Sequence, residues 1–211
     1  MVNDASSDRQ TILLLGPWMH RSEHLKRHLS PGRVYRRADL AQWSKSVDRH
    51  IRELVDAGVL QKLQNGLYYF PKVSVFGHVP ADEYTLVRTF LKDDDFLLTA
   101  PNAYNTLGVG TTQLYNTQVV YNHKRHGRFT LGGRAFEFRR KPRFPRKLTE
   151  EFLLVELLNI LPALAEDAET LRARARTKAT ELNASKLRFA ARHYGKVATR
   201  KFFDQVLADA S

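Results

Sequence analysis

The sequence predicts an α+β protein: a small helix-rich N-terminal unit closed by a β-hairpin, then a mixed domain with a small antiparallel sheet and a C-terminal helical bundle. Three observations carry this. Between Arg36 and Pro71 two helical patterns are followed by two strand-like runs around Asn65-Gly66. Residues 116–140 are β-rich and centre on Gly132-Gly133. From Leu148 onward, apolar residues recur at helical spacing almost to the end of the 211-residue chain.

The elements follow in chain order. Ile12 to Leu15 is an apolar run with no basic region before it, too short for a signal sequence or a membrane span. His20, His24 and His28 recur every four residues, so a helix would stack them on one face. Two such side chains can bind zinc or nickel, but only Glu23 adds a nearby carboxylate, and no metal site is assigned. Ala38 to Trp43 reads as a short helix, with a polar break at Ser44. The next helix spans Lys45 to Ala57. Val47, Ile51, Leu54 and Val55 form its apolar face, Ser44 is placed to cap it, and Gly58 is placed to end it. Val59–Leu63 and Leu67–Phe70 have strand composition. Asn65-Gly66 suits a primed hairpin turn, and Pro71 closes the second strand.

Helix, tight turn, helix and hairpin is the order of a winged helix-turn-helix, and the formal charge of +12 favours a polyanionic partner. Double-stranded DNA is therefore the expected partner. On the second helix, cations lead and the acids Glu53 and Asp56 come late, the reverse of what the helix dipole favours but useful for reading DNA. The candidate DNA-binding residues are Lys45, Ser46, Arg49 and Arg52 on the helix, with Lys62, Gln64 and Asn65 at the wing tip. The plainer alternative is a solvated helix face and a turn that needs Asn-Gly for backbone reasons.

The N-terminal domain is expected over residues 1–78, with a boundary near Gly77-His78-Val79-Pro80, and the second domain over 79–211. Asp82 is placed to cap a helix to Leu91. Asp93-Asp94-Asp95 then precedes the strand Phe96–Ala100. Three acids suggest a metal-dependent nuclease, but the matching strand motif reads Glu137-Phe138-Arg139, with Arg where a compact lysine is wanted. A polar turn is the simpler reading.

Within the basic β region 116–147, ten cations lie between Lys124 and Lys147, with Glu137 the only acid. Strand alternation should bury Phe129, Phe136 and Phe138 and expose the bases. Arg134, Arg139, Arg140, Lys141, Arg143, Arg146 and Lys147 are the candidate second surface, for nucleic acid (DNA or RNA) or for an acidic protein. His123 and His126 sit in a basic loop and need no metal. The helical tail covers 148–209: Thr149 caps a helix to Leu161, Pro162 breaks it, Asp167–Leu182 is polar and Arg-rich, and Gly195 separates Ala184–Tyr194 from Lys196–Ala208.

Cysteine is absent, which removes disulfides, thiolate nucleophiles and cysteine-ligated zinc and suits a reducing cytoplasm. No phosphate loop, nucleophile elbow or His-Glu-x-x-His motif occurs, so no catalytic residue and no cofactor is assigned.

Val34 to Pro71, ending in GVLQKLQNGLYYFPK, resembles the N-terminal winged helix of AbiEi-type antitoxins. The following DEYTLVRTFLKDDDFLLTAPNAYNTLGV, the segment RFTLGGRAFEFRRK and the helical tail are similar in order to that family's antitoxin domain. The resemblance implies a type IV toxin–antitoxin system. In it, the protein would bind inverted repeats upstream of its own operon, repress it, and oppose a nucleotidyltransferase-like toxin without a stable toxin complex. Placed by position, the reading helix is Lys45 to Ala57 and the wing tip Lys62 to Gly66. The chain is expected to be monomeric, with copies cooperating on DNA and no membrane partner. The alternative is a winged-helix transcriptional regulator whose second domain binds a ligand or a protein.

Overall fold

The computed structural model describes residues 19–100, 103–109, 118–164 and 167–209. The apolar run at Ile12–Leu15, Asn116-Thr117 and the side chain of His20 lie outside the described residues. Two compact units part at Lys92: the first takes the chain to Lys92 together with Leu131–Gly133, and the second takes the remainder. The sequence reading placed the boundary earlier, near Gly77–Pro80. Gly77–Val79 is instead a strand, and the helix after it packs within the first unit against Arg33–Arg36.

The first unit contains α1 (Met19–Lys26), β1 (Arg33–Arg36), α2 (Arg37–Ala41), α3 (Val47–Asp56), β2 (Gln61–Gln64), β3 (Leu67–Phe70), β4 (Lys72–Ser74), β5 (Gly77–Val79) and α4 (Glu83–Leu91). Strands β1, β3 and β2 form an antiparallel sheet in that order, with Arg33 opposite Phe70 and Arg36 opposite Leu67. The core beneath is built from Leu25, Leu29, Tyr35, Leu40, Val47, Ile51, Leu54 and Leu60. The expected apolar face of α3 is in place, with Val47, Ile51 and Leu54 buried and Val55 half-buried.

Two local expectations differ from the structure. Ser44 does not cap α3: the helix begins at Val47 after Ser46, and the Ser44 hydroxyl meets His50 Nδ1 at 2.8 Å. The Asn65-Gly66 turn is not primed, because Asn65 keeps a negative φ and only Gly66, at φ +75°, is left-handed. The register slips between Lys62 and Gln64, so a bulge rather than a two-residue primed turn matches the strands. Pro71 does end β3, but a further hairpin, β4–β5, follows at once. Asp82 caps α4 as expected, its carboxylate accepting from the Thr85 amide at 2.8 Å.

The second unit has a four-stranded sheet in the order β6 (Phe96–Leu98), β7 (Gln118–Asn122), β9 (Arg134–Arg140), β8 (Gly127–Leu131). The expected antiparallel sheet is in fact mixed. β6 and β7 are antiparallel, but β7 and β9 run parallel, with Gln118 opposite Phe136 and Asn122 opposite Arg140. The cause is residues 123–126, which step past the end of β9, about 10 Å across two strand spacings, so that β8 forms the far edge. Asn122 holds this step: its side-chain oxygen accepts from the amides of Lys124 at 2.8 Å and Arg125 at 2.6 Å. The primed turn lies at Gly132-Gly133, with φ +57° and +78°.

Helix α5 (Glu150–Ile160) is central to this unit and is buried from Phe152 to Asn159. Thr149 caps it by accepting from the Phe152 amide at 3.2 Å. Pro162 lies in a short 3-10 turn, and α6 (Ala168–Glu181), α7 (Ala184–Tyr194) and α8 (Val197–Asp209) complete the helical region. Gly195 is needed where α7 meets α8, because a Cβ there would lie 2.4 Å from the Ala191 carbonyl oxygen. Among the described residues, no helix is long and apolar enough to cross a membrane.

Candidate nucleic-acid interface

The first unit orders its exposed polar side chains around α2 and α3. The Arg36 and Asp39 pair closes the start of α2, with the Arg36 amide donating to Asp39 Oδ2 at 3.0 Å and its guanidinium Nε to the same oxygen at 3.2 Å. Trp43 stacks on His28 with ring centroids 5.2 Å apart, and His50, buried on α3, receives Ser44. These contacts fix the bend between the two helices. A cleft of about 300 Å³ opens beside it, lined by His24, Trp43, Ser44, Lys45, Ser46, Arg49 and His50.

Lys45, Ser46, Arg49 and Arg52 are all exposed. Lys45 and Ser46 precede the first helical residue, so they occupy the turn rather than α3 itself. Arg49 lies 3.6 Å from Glu53 across one helical turn, a pairing that competes with any phosphate. The sign gradient read from the sequence omitted Asp48, which stands in the first turn of α3. Arg37 grips that carboxylate through Nε at 2.6 Å and Nη2 at 2.5 Å. The hydrogen bond lowers the pKa of Asp48 and raises that of Arg37.

Arg37 is the residue that sequence reasoning missed. Its backbone amide donates to the Gly66 carbonyl at 2.9 Å while its guanidinium holds Asp48, so one residue ties the β2–β3 turn to the start of α3. The Arg36-Arg37 pair just before α2 was the available signal. At the tip, Lys62 and Asn65 are exposed, whereas Gln64 is half-buried and its buried Oε1 has no partner.

The second basic surface separates into two groups. Arg140, Arg143, Arg146 and Lys147 are exposed and Arg134 half-exposed. Arg139 and Lys141 turn inward, against the expectation that strand alternation would expose every base. Arg139 donates to Glu137 Oε1 at 2.8 Å and to the Tyr121 hydroxyl at 3.5 Å. Burial opposes its charge, yet Tyr121, Tyr104 and Glu137 carry its pKa above the ordinary value. The Tyr104 and Tyr121 hydroxyls meet at 2.7 Å, and burial pushes the Tyr104 pKa up to about 12. Lys141 pairs with the fully buried Glu156, which also accepts from Asn159 at 2.7 Å. Burial lowers the Lys141 pKa in spite of this partner. The aromatics follow expectation in part: Phe136 and Phe138 are buried, Phe129 half so.

The acidic run has structural partners. Asp93 pairs with Lys124 at 2.9 Å, and Asp95 with His123 at 3.1 Å. Glu137 is engaged by Arg139, and among the described residues no three His, Cys, Asp or Glu side chains come together to hold a metal. His24 and His28 pack edge to face at 5.1 Å. The Arg-rich row on α6 is also paired: Arg172 with Glu169, Arg176 with Asp209 at 3.7 Å, and Lys178 with Glu150 at 3.1 Å, while Arg174 donates to the Val109 carbonyl at 3.3 Å.

No protein-family model matches the chain, and no curated protein matches it. Among solved structures, the RV2827C protein from Mycobacterium tuberculosis is similar, with a TM-score of 0.53 and 19% identity, covering 93% of this chain and 78% of that one. At that identity the likeness is one of fold.

Proposed function

We propose that this chain is a DNA-binding antitoxin of a type IV toxin–antitoxin system, which represses its own operon and counteracts a nucleotidyltransferase-like toxin. The observation that carries the DNA-binding part is the first unit's element order. Helix, strand, helix, helix and hairpin, with β1 completing the sheet of β2 and β3, support a winged helix-turn-helix. In that reading α3 lies in the major groove. Lys45, Ser46, Arg49 and Arg52 make base and phosphate contacts, and Lys62 and Asn65 reach the backbone from the wing. Gln64, half-buried beside them, joins this wing contact through the side-chain oxygen that has no partner among the described residues. The operator is an inverted repeat upstream of the operon, occupied by cooperating monomers.

The antitoxin part rests on the sequence resemblance, and the exposed Arg140, Arg143, Arg146 and Lys147 are its working surface. The chain needs no catalytic residue, metal or cofactor for this, and it acts in the cytoplasm. A winged-helix regulator with a ligand- or protein-binding second domain is the second reading. It is favoured by the cavity of about 330 Å³ beside α7, lined by Pro145, Thr149, Ser185, Phe189, Ala190 and Tyr194.

Co-expression with any nucleotidyltransferase-like gene found beside its own tests the proposal. Growth arrest relieved by the wild-type chain, and by a variant lacking the α3 cations, supports an antitoxin whose neutralising surface is separate from its DNA-binding one. Arrest that the chain never relieves removes the antitoxin reading.

A further inference from the structure

The β4–β5 hairpin presents its apolar side chains outward. Phe76 is 98% exposed, Val75 93% and Val73 77%. The hairpin is nonetheless held firmly. Ser74 Oγ accepts from the Phe76 amide at 3.2 Å and donates to the Gly77 carbonyl at 3.0 Å, and Gly77 takes φ +101° to close the turn. At its base the Tyr69 hydroxyl donates to the Val79 carbonyl at 2.8 Å, and the Gln61 amide nitrogen meets His78 Nδ1 at 3.4 Å. Both strands of the proposed wing therefore anchor it. A fixed turn that keeps a phenylalanine in water leaves its burial free energy to be realised on a partner.

Size and charge identify that partner. A stable protein interface takes about 800 Å² from each side, whereas a phenylalanine supplies about 150–250 Å², and the smaller Val73 and Val75 do not bring the turn to that size. A single DNA base step takes one such side chain, and apolar wedges of this kind enter the minor groove and partly unstack it. Residues 71–80 contain no acid, and Lys72 and His78 stand on the hairpin, both exposed. Residues 19–92 carry thirteen Lys and Arg against seven Asp and Glu. We propose that Val75 and Phe76 form an apolar wedge that enters the minor groove of duplex DNA and bends it. This inference rests on the DNA-binding reading above.

The test uses the full-length chain and a duplex from upstream of its own gene, labelled at both ends for energy transfer, with 2-aminopurine at its thymine–adenine steps. Wild-type protein should bend the duplex by about 20–90° and brighten the 2-aminopurine at one step. Phe76→Ala should bind about tenfold more weakly without the bend or the brightening, and Phe76→Leu should keep most of both. The near-complete exposure of Phe76 makes the thermal melt of either variant that of the wild type. If Phe76→Ala binds and bends as the wild type does, or the wild-type complex is straight, the wedge is wrong and DNA binding stands. If no duplex is bound at all, both readings fall. If Phe76→Ala instead dissociates a dimer in sedimentation, the hairpin is a protein contact and the wedge is overturned.

Discussion

Arg37 and Asp48 set the electrostatics at the start of α3. In the proposed DNA complex Asp48 would place a negative charge where a phosphate approaches, and Arg37 neutralises it. Asp48→Asn should therefore tighten duplex binding by a few-fold, since it removes an acid and releases a guanidinium; unchanged affinity in a fluorescence-anisotropy titration would place this pair outside the interface. Arg49→Ala should weaken specific binding by roughly 1–3 kcal/mol and lower the salt slope by about 1. An unaltered slope would remove Arg49 from the contact. Inside the second unit, the Lys141–Glu156 pair is a structural commitment, because Glu156 has no exposure. Lys141→Met leaves that carboxylate buried without its cation and should cost about 3–5 kcal/mol in urea unfolding. A loss near zero would mean that Asn159 alone satisfies the carboxylate.

At the scale of elements, the sequence was most legible where one face of a helix meets a core or where a cap is local. The apolar face of α3 and the caps of α4 and α5 depend on neighbours within a few residues, so spacing alone locates them. Thr149→Ala should cost about 1 kcal/mol, read from the denaturation midpoint, and Thr149→Ser should retain most of it. The strands were harder to read. β7 is buried on both faces, so its alternation carried no information about its neighbours, and its parallel pairing with β9 depends on the Asn122 side chain. Arg139 looks identical to Arg140 in sequence. Only the tertiary placement of Tyr121 beside the strand turns one inward and leaves the other exposed. In sequence the β4–β5 hairpin resembles a linker, because Gly77 and Pro80 suggest a boundary, whereas in the fold Gly77 closes a turn.

For the molecule as a whole, charge bears on stability and on the polyanionic partner proposed above. Among the described residues, three carboxyl groups have lowered pKa values: Asp48 through the Arg37 side chain, Asp93 through the Asp95 amide and Asp167 through Thr170. The unfolded chain takes up these protons first. The stability they contribute is therefore complete above the usual carboxylate pKa of about 4 and is lost as pH falls through the lower, folded values. Urea midpoints should change little between about pH 5 and 7 on this account and drop below about 4, with Asp48→Asn losing its part of that drop. With a charge of +12, general attraction to any polyanion is expected, so binding alone does not identify an operator. The decisive measurement is a gel-shift titration of the whole protein on its own upstream duplex and on a scrambled one, at several salt concentrations. Operator recognition by the first unit predicts stepwise, specific retardation that survives salt levels at which the scrambled duplex is released. Equal, salt-sensitive binding to both duplexes would contradict it.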